Sequence, residues 1–195
     1  MRCLFAFVLV VVLSLAGVIG FVYSGWADVS ATGTESKPVR WLLETTRRNA
    51  IERNAADIRV PDLSGQSLIA TGAGAFNNMC VGCHGAPGHN PMLGAGYMDP
   101  EPPDLGKVAK KRTPAELFWV IKHGIRMTAM PAWGPTHSDT QLWALVALIE
   151  RLPDLSAQEF RQLVKQAGNG DEGHGHTHGA TSAGPDAHGQ GGGGH

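Results

Sequence analysis

Residues 72–85 read GAGAFNNMCVGCHG, and this stretch decides how the rest of the chain is to be read. Its first half closes a helical pattern that begins at Gln66. In QSLIATGAGAFNNM, residues 66–79, Leu68, Ile69, Ala73, Phe76 and Met79 recur at helical spacing and give an apolar face. Gly72 and Gly74 would each weaken an isolated helix by up to about 1 kcal/mol. Their presence predicts that another backbone approaches closely. The second half, Cys80-Val81-Gly82-Cys83-His84, places two thiols two residues apart and an imidazole directly after them.

Three chemistries compete for such a pair. A structural zinc site wants a second cysteine pair or two well-spaced histidines. Cys80 and Cys83 exhaust the cysteines beyond the N-terminal segment, and in the foldable part the histidines at such a spacing, His84 and His89, begin directly after Cys83 rather than beyond an intervening loop. A thioredoxin-like dithiol wants a βαβ setting, and the pattern here is helical. A plain disulfide leaves His84 unexplained, along with the Gly/Pro-rich run 85–107. C-x-x-C-H is the haem attachment signature. Two thiols at this spacing reach both vinyl groups along one haem edge, and the adjacent imidazole turns onto the iron.

Downstream, residues 85–107 promise no regular element, and a loop of that length in a small domain implies that it wraps something. Three helices then announce themselves. Thr113-Pro114-Ala115-Glu116 is a capping box with proline at the first helical position, and Gly124 stops that helix after His123. Ser138-Asp139-Thr140-Gln141 opens a second, which runs to Leu152 with a continuous stripe of Leu142, Leu145, Val146, Ile149 and Leu152. Ser156-Ala157-Gln158-Glu159 opens a third, ending near Gly168.

This order of parts resembles the class I c-type cytochromes. The likeness is carried by GAGAFNNMCVGCHG, EPPDL, ELFWVIKHGIRMTAMPAWG and SDTQLWALVALIERL, and it covers about residues 67–152. It implies an all-α cytochrome c fold and one covalently held haem c. Cys80 and Cys83 are then the thioether links, His84 the proximal ligand and Met130 the distal ligand on a loop stiffened by Pro131. Gly72 and Phe76 would meet the closing helix near Trp143, and Trp133 would pack near the haem edge. Pro87 or Pro91 would supply the carbonyl that orients His84. Met127, Met92, Met98 and His123 are the rival distal ligands.

Upstream, residues 3–23, CLFAFVLVVVLSLAGVIGFVY, hold no charge. As a helix they span roughly 30 Å, the thickness of a bilayer core. A cleaved signal has a shorter apolar core, so a retained single-pass anchor is the expectation, with Gly25-Trp26-Ala27 a passable cleavage site. Arg2 precedes the segment, and Asp28 and Glu35 follow it, which puts everything after residue 24 on the periplasmic side of the inner membrane. Tyr23 and Trp26 would sit in the outer aromatic belt. Residues 39–57, VRWLLETTRRNAIERNAAD, read as a surface helix or stalk with a thin stripe of Trp41, Leu42, Ile51 and Ala55, ended by Pro61. The expected organisation is an anchor over 1–24, a tether and surface helix over 25–60, a cytochrome domain over 61–167 and a disordered tail over 168–195.

The chain has 195 residues and a formal net charge of -1, and nothing global points to nucleic acid. Lys107, Lys110, Lys111, Arg112, Lys122 and Arg126 cluster locally, as a solvated helix face or as a docking or haem-propionate contact. Cys3 reads as incidental. The tail carries His174, His176, His178, His188 and His195 among glycines, a composition able to offer imidazoles to Cu²⁺, Ni²⁺ or Zn²⁺. Iron held by two strong ligands suits one-electron transfer rather than turnover. A peroxidase would need an open iron and usually a second haem. A metal-handling or redox-sensing protein using the tail is the alternative. Expected partners are membrane-bound or periplasmic redox proteins: a dehydrogenase, a quinol-oxidising complex or a terminal oxidase.

Overall fold

The computed structural model describes residues 1–170 except 32, 34, 35, 94 and 95, and gives only the backbone at 169 and 170. His174, His176 and His178 of the proposed tail site, and the tail as a whole, lie outside the described residues. Among the described residues the chain is all-helical, with eight α-helices and no strand. They are α1 (Arg2–Ser24), α2 (Lys37–Ala55), α3 (Gln66–Met79), α4 (Val81–His84), α5 (Leu105–Ala109), α6 (Pro114–His123), α7 (Asp139–Arg151) and α8 (Ala157–Gly170), with a 3₁₀ turn over Leu152–Asp154.

α1 has no buried residue, ends at Gly25 and is long and apolar enough to cross a membrane. The core lies where α3 packs on α7 and α8 while α6 packs on α7. Gly72 is the pivot of that crossing. A Cβ placed on it would collide with the backbone carbonyl of Ala144 and come within 3.2 Å of Leu148 Cβ. Only glycine lets the two helix backbones approach this closely, as its mid-helix position predicted. Phe76 is fully buried, and its aromatic neighbour is Phe160 of α8, edge-to-face at 6.1 Å. Gly72 thus meets the closing helix at Ala144, next to Trp143 as expected, and Trp143 itself stacks on Phe118 of α6 at 4.1 Å. The pairing of Phe76 with Phe160 follows from α8, whose Phe160 and Leu163 are buried and whose start is fixed by a reciprocal Ser156–Glu159 cap.

The two predicted capping boxes form as read. Thr113 Oγ1 accepts from Glu116 N–H while Glu116 accepts from Thr113 N–H, and Ser138 and Gln141 repeat the arrangement. A Lys122–Asp139 ion pair at 2.7 Å ties the end of α6 to the start of α7. Two expectations need correction. The run 85–107 was read as without regular structure, yet α5 starts inside it at Leu105. Asp104 caps it by accepting from Gly106 N–H at 2.9 Å. The stripe on α2 also divides. Ile51 and Ala55 are buried in the half that packs on α6, whereas Trp41 and Leu42 are exposed. An Arg112–Glu52 pair at 3.7 Å fastens the packed half.

Candidate haem-binding site

α3 ends at Met79, and the chain turns through Cys80 straight into the single turn of α4. Cys83 N–H and His84 N–H both donate to Cys80 C=O, at 3.2 and 2.9 Å. Cys80, Cys83 and His84 are thereby gathered on one helical turn, all half-buried. The loop that follows doubles back onto this turn. Ala86 and His89 exchange backbone hydrogen bonds, and Met92 and Leu93 N–H both donate to Gly82 C=O.

The orienting carbonyl belongs to Pro103, neither to Pro87 nor to Pro91. His84 Nδ1 lies 2.8 Å from Pro103 O. A carbonyl only accepts, so Nδ1 carries the hydrogen and Nε2 presents its lone pair. Burial pushes the imidazole below the ordinary histidine range, and the bond to Pro103 opposes this. The ring is thus held neutral and aimed. Pro103 lies nineteen residues from His84. Its role depends on how the loop closes, although EPPDL was the segment to inspect.

Both thiols are free, and Cys80 is pushed up to about 12, first by burial and then by the charge of Cys83. A thiol so raised is the opposite of a reactive dithiol, whose nucleophile is acidified. Among the described residues no group of three or more His, Cys, Asp or Glu side chains is placed to hold a metal ion.

Met130 and Trp133 sit on the loop between α6 and α7. Gly124 ends α6 at a φ of 65°, and a Cβ there would meet Ala132 N, Pro131 C and Met130 O at 2.7–2.8 Å. The loop is then pinned to α6 by bonds from Trp133 N–H to Ile121 O at 3.1 Å and Gly134 N–H to Lys122 O at 3.0 Å. Within it, Ile125 N–H donates to Met130 O, and Met130 N–H donates to Thr128 Oγ1. Met130 and Trp133 are partly buried against the core. The rivals differ: Met127 is 92% and Met92 78% exposed, and His123 is exposed beside Trp119. Met98 is half-buried.

The residues present fit a haem. Two unpaired thiols stand one turn apart beside an imidazole with its Nε2 unengaged by Pro103. Met79, Val81, Leu105, Val108, Met130 and Trp133 touch the core yet remain only partly buried. Leaving apolar area in water forgoes about 25 cal/mol per Å², which an apolar macrocycle laid over such side chains would recover. A cavity of about 520 Å³ also flanks His84, but it is lined by Pro87, His89, Leu105, Lys107 and Leu152 and by neither thiol nor Met130, so it is not itself the haem site.

The arrangement is that of a haem-bearing electron-carrier domain. Residues 67–149 match the family described as cytochrome c oxidase, cbb3-type, subunit III. With the Cys-x-x-Cys-His turn, that match makes this segment a class I, monohaem c-type cytochrome domain whose cofactor is haem c. No curated protein and no solved structure matches the chain.

Proposed function

We propose that the chain carries one electron at a time on the periplasmic face of the inner membrane, held there by a retained α1. In this reading Cys80 and Cys83 form the thioethers, His84 and Met130 take the two axial positions, and Trp133 packs near the macrocycle. The observation that carries it is the 2.8 Å bond from His84 Nδ1–H to Pro103 O, which leaves Nε2 as the donor beside the two thiols. The haem supplies reversible one-electron chemistry. The protein's part is to hold donors and to exclude others. His84 is fixed in tautomer and direction by Pro103. Met130 is carried on a loop bonded at both ends, and its thioether favours the reduced iron and so a higher potential than two nitrogen ligands. Burial raises the Cys80 thiol, which disfavours its thiolate and so a reactive-dithiol role.

The domain runs over 61–167 in this reading, because α8 supplies Phe160 to the core beyond the matched segment. The partners are a respiratory oxidase or another membrane-bound or periplasmic redox complex. Arg2 before the apolar segment and Asp28 after it support the outward orientation. Met130→Ala tests the ligand set: the sulfur-to-iron absorption band at the red end of the oxidised spectrum should vanish and the potential fall. An unchanged spectrum removes Met130. Carbon monoxide binding to the reduced wild type would instead indicate an accessible iron position and an enzyme.

A further inference from the structure

α2 has two different ends. From Ile51 to Ala55 it packs on α6 of the folded domain. Its first turns differ. Val39, Trp41, Leu42 and Leu43 are all exposed, Trp41 by 67%, and they share one broad arc of the helix, with Lys37, Arg40 and Glu44 on the opposite arc. A helix with one apolar arc in solvent and a charged arc opposite suits the plane of a membrane interface. Lys37, Arg40, Arg47 and Arg48 accompany these side chains, with Glu44 the only acid from Lys37 to Ile51. Arg40 leans towards Asp99 at 3.7 Å, and Arg47 is half-buried, leaving Lys37 and Arg48 on the exposed surface.

We propose that the first turns of α2, with Trp41, Leu42 and Leu43 as the inserted side chains, dock into the interface of an anionic bilayer as a second, peripheral membrane contact. The inference rests on reading α1 as a retained anchor. α1 ends at Ser24 and α2 begins at Lys37, so residues 25–36 join them. Twelve extended residues reach about 40 Å at most. Docking is therefore intramolecular on the membrane, and weak insertion energy is enough to hold it. Aromatic and leucine side chains flanked by lysine and arginine suit the headgroup boundary of anionic lipids. The contact would fix the domain's tilt, because the other half of α2 is packed on α6.

The full-length holoprotein in vesicles of phosphatidylglycerol and phosphatidylcholine tests this, in a Cys3→Ser background, with a spin label at Leu42→Cys or at Arg53→Cys. Residue 53 lies on the same side of α2, three turns further on. The label at 42 should collide with a water-soluble nickel chelate about fivefold less often than the label at 53. Lys37→Glu with Arg48→Glu, or omission of phosphatidylglycerol, should lessen the shielding. Equal access for both labels, with the protein still resisting alkaline extraction, overturns the contact and leaves the anchor standing; the same result fits a protein partner for these turns. Release by alkaline extraction overturns the anchor and the contact with it.

Discussion

The crossing of α3 with α7 and α8 is finished by side chains alone, whereas the segments that carry Cys80, His84 and Met130 are not. In the first region Phe76, Leu142, Leu145, Leu148 and Phe160 are essentially sealed from solvent. In the second, apolar side chains stop half-way into the core, and order comes from backbone bonds and caps: Met92 and Leu93 to Gly82, Trp133 to Ile121, Asp104 to Gly106. The difference teaches that one region is specified by packing and the other by a template attached after synthesis.

Substitutions can break that division, the largest effect first. Phe160→Ala should lower unfolding free energy by about 3–5 kcal/mol in denaturant titrations, with the haem spectrum of the folded protein unchanged. A spectral change would show that α8 shapes the haem side as well. Gly72→Ala forces apart two helix backbones and should cost about 3 kcal/mol by the same titration. Gly74→Ala meets only Ala167 Cβ, at 2.7 Å near the end of α8, and should cost less, about 1 kcal/mol. Thr113→Ala removes one cap from α6 and should cost about 1 kcal/mol.

The smallest effect is one of pH. The Ser156 hydroxyl and backbone N–H hold Glu159 below its ordinary value of 4.5. A depressed carboxylate stabilises the fold above that ordinary value, because the unfolded chain binds the proton more readily. The contribution is lost as pH falls through the folded value. The stability gap between wild type and Ser156→Ala should therefore be constant above about pH 5.5 and narrow in more acid solution.

Much of this was legible from local chemistry. α3 runs over the predicted residues, and α6, α7 and α8 start at the predicted caps, because caps and helical spacing are properties of a few neighbouring residues. Gly72 was legible for a related reason: a mid-helix glycine has a cost that only close packing offsets. What escaped the sequence is what tertiary closure decides. Pro87, Pro91 and Pro103 all offer carbonyls, and only the path of the 85–103 loop selects Pro103. α5 was hidden because five residues carry too little periodicity. The pairing of Phe76 with Phe160 was hidden because it depends on α8 lying across α3. The exposed and buried halves of α2 share one composition, and only α6 tells them apart. Of the site, the Cys80–His84 turn was plain in sequence, while Met130 rather than Met127 was implied by the resemblance and is a proposal that burial supports.

The loop carrying Met130 is bonded to the last turn of α6 at Ile121 and Lys122, with a glycine pivot at 124 that accepts no side chain. Electron transfer is slowed by every nucleus that must shift when the charge changes. On the proposed ligand set, Met130 would offer a donor atom mounted on a strap riveted to a helix, with little room to shift. The reorganisation energy would then be low, and the carrier's exchange rate would be governed by how it meets its partners rather than by its own relaxation.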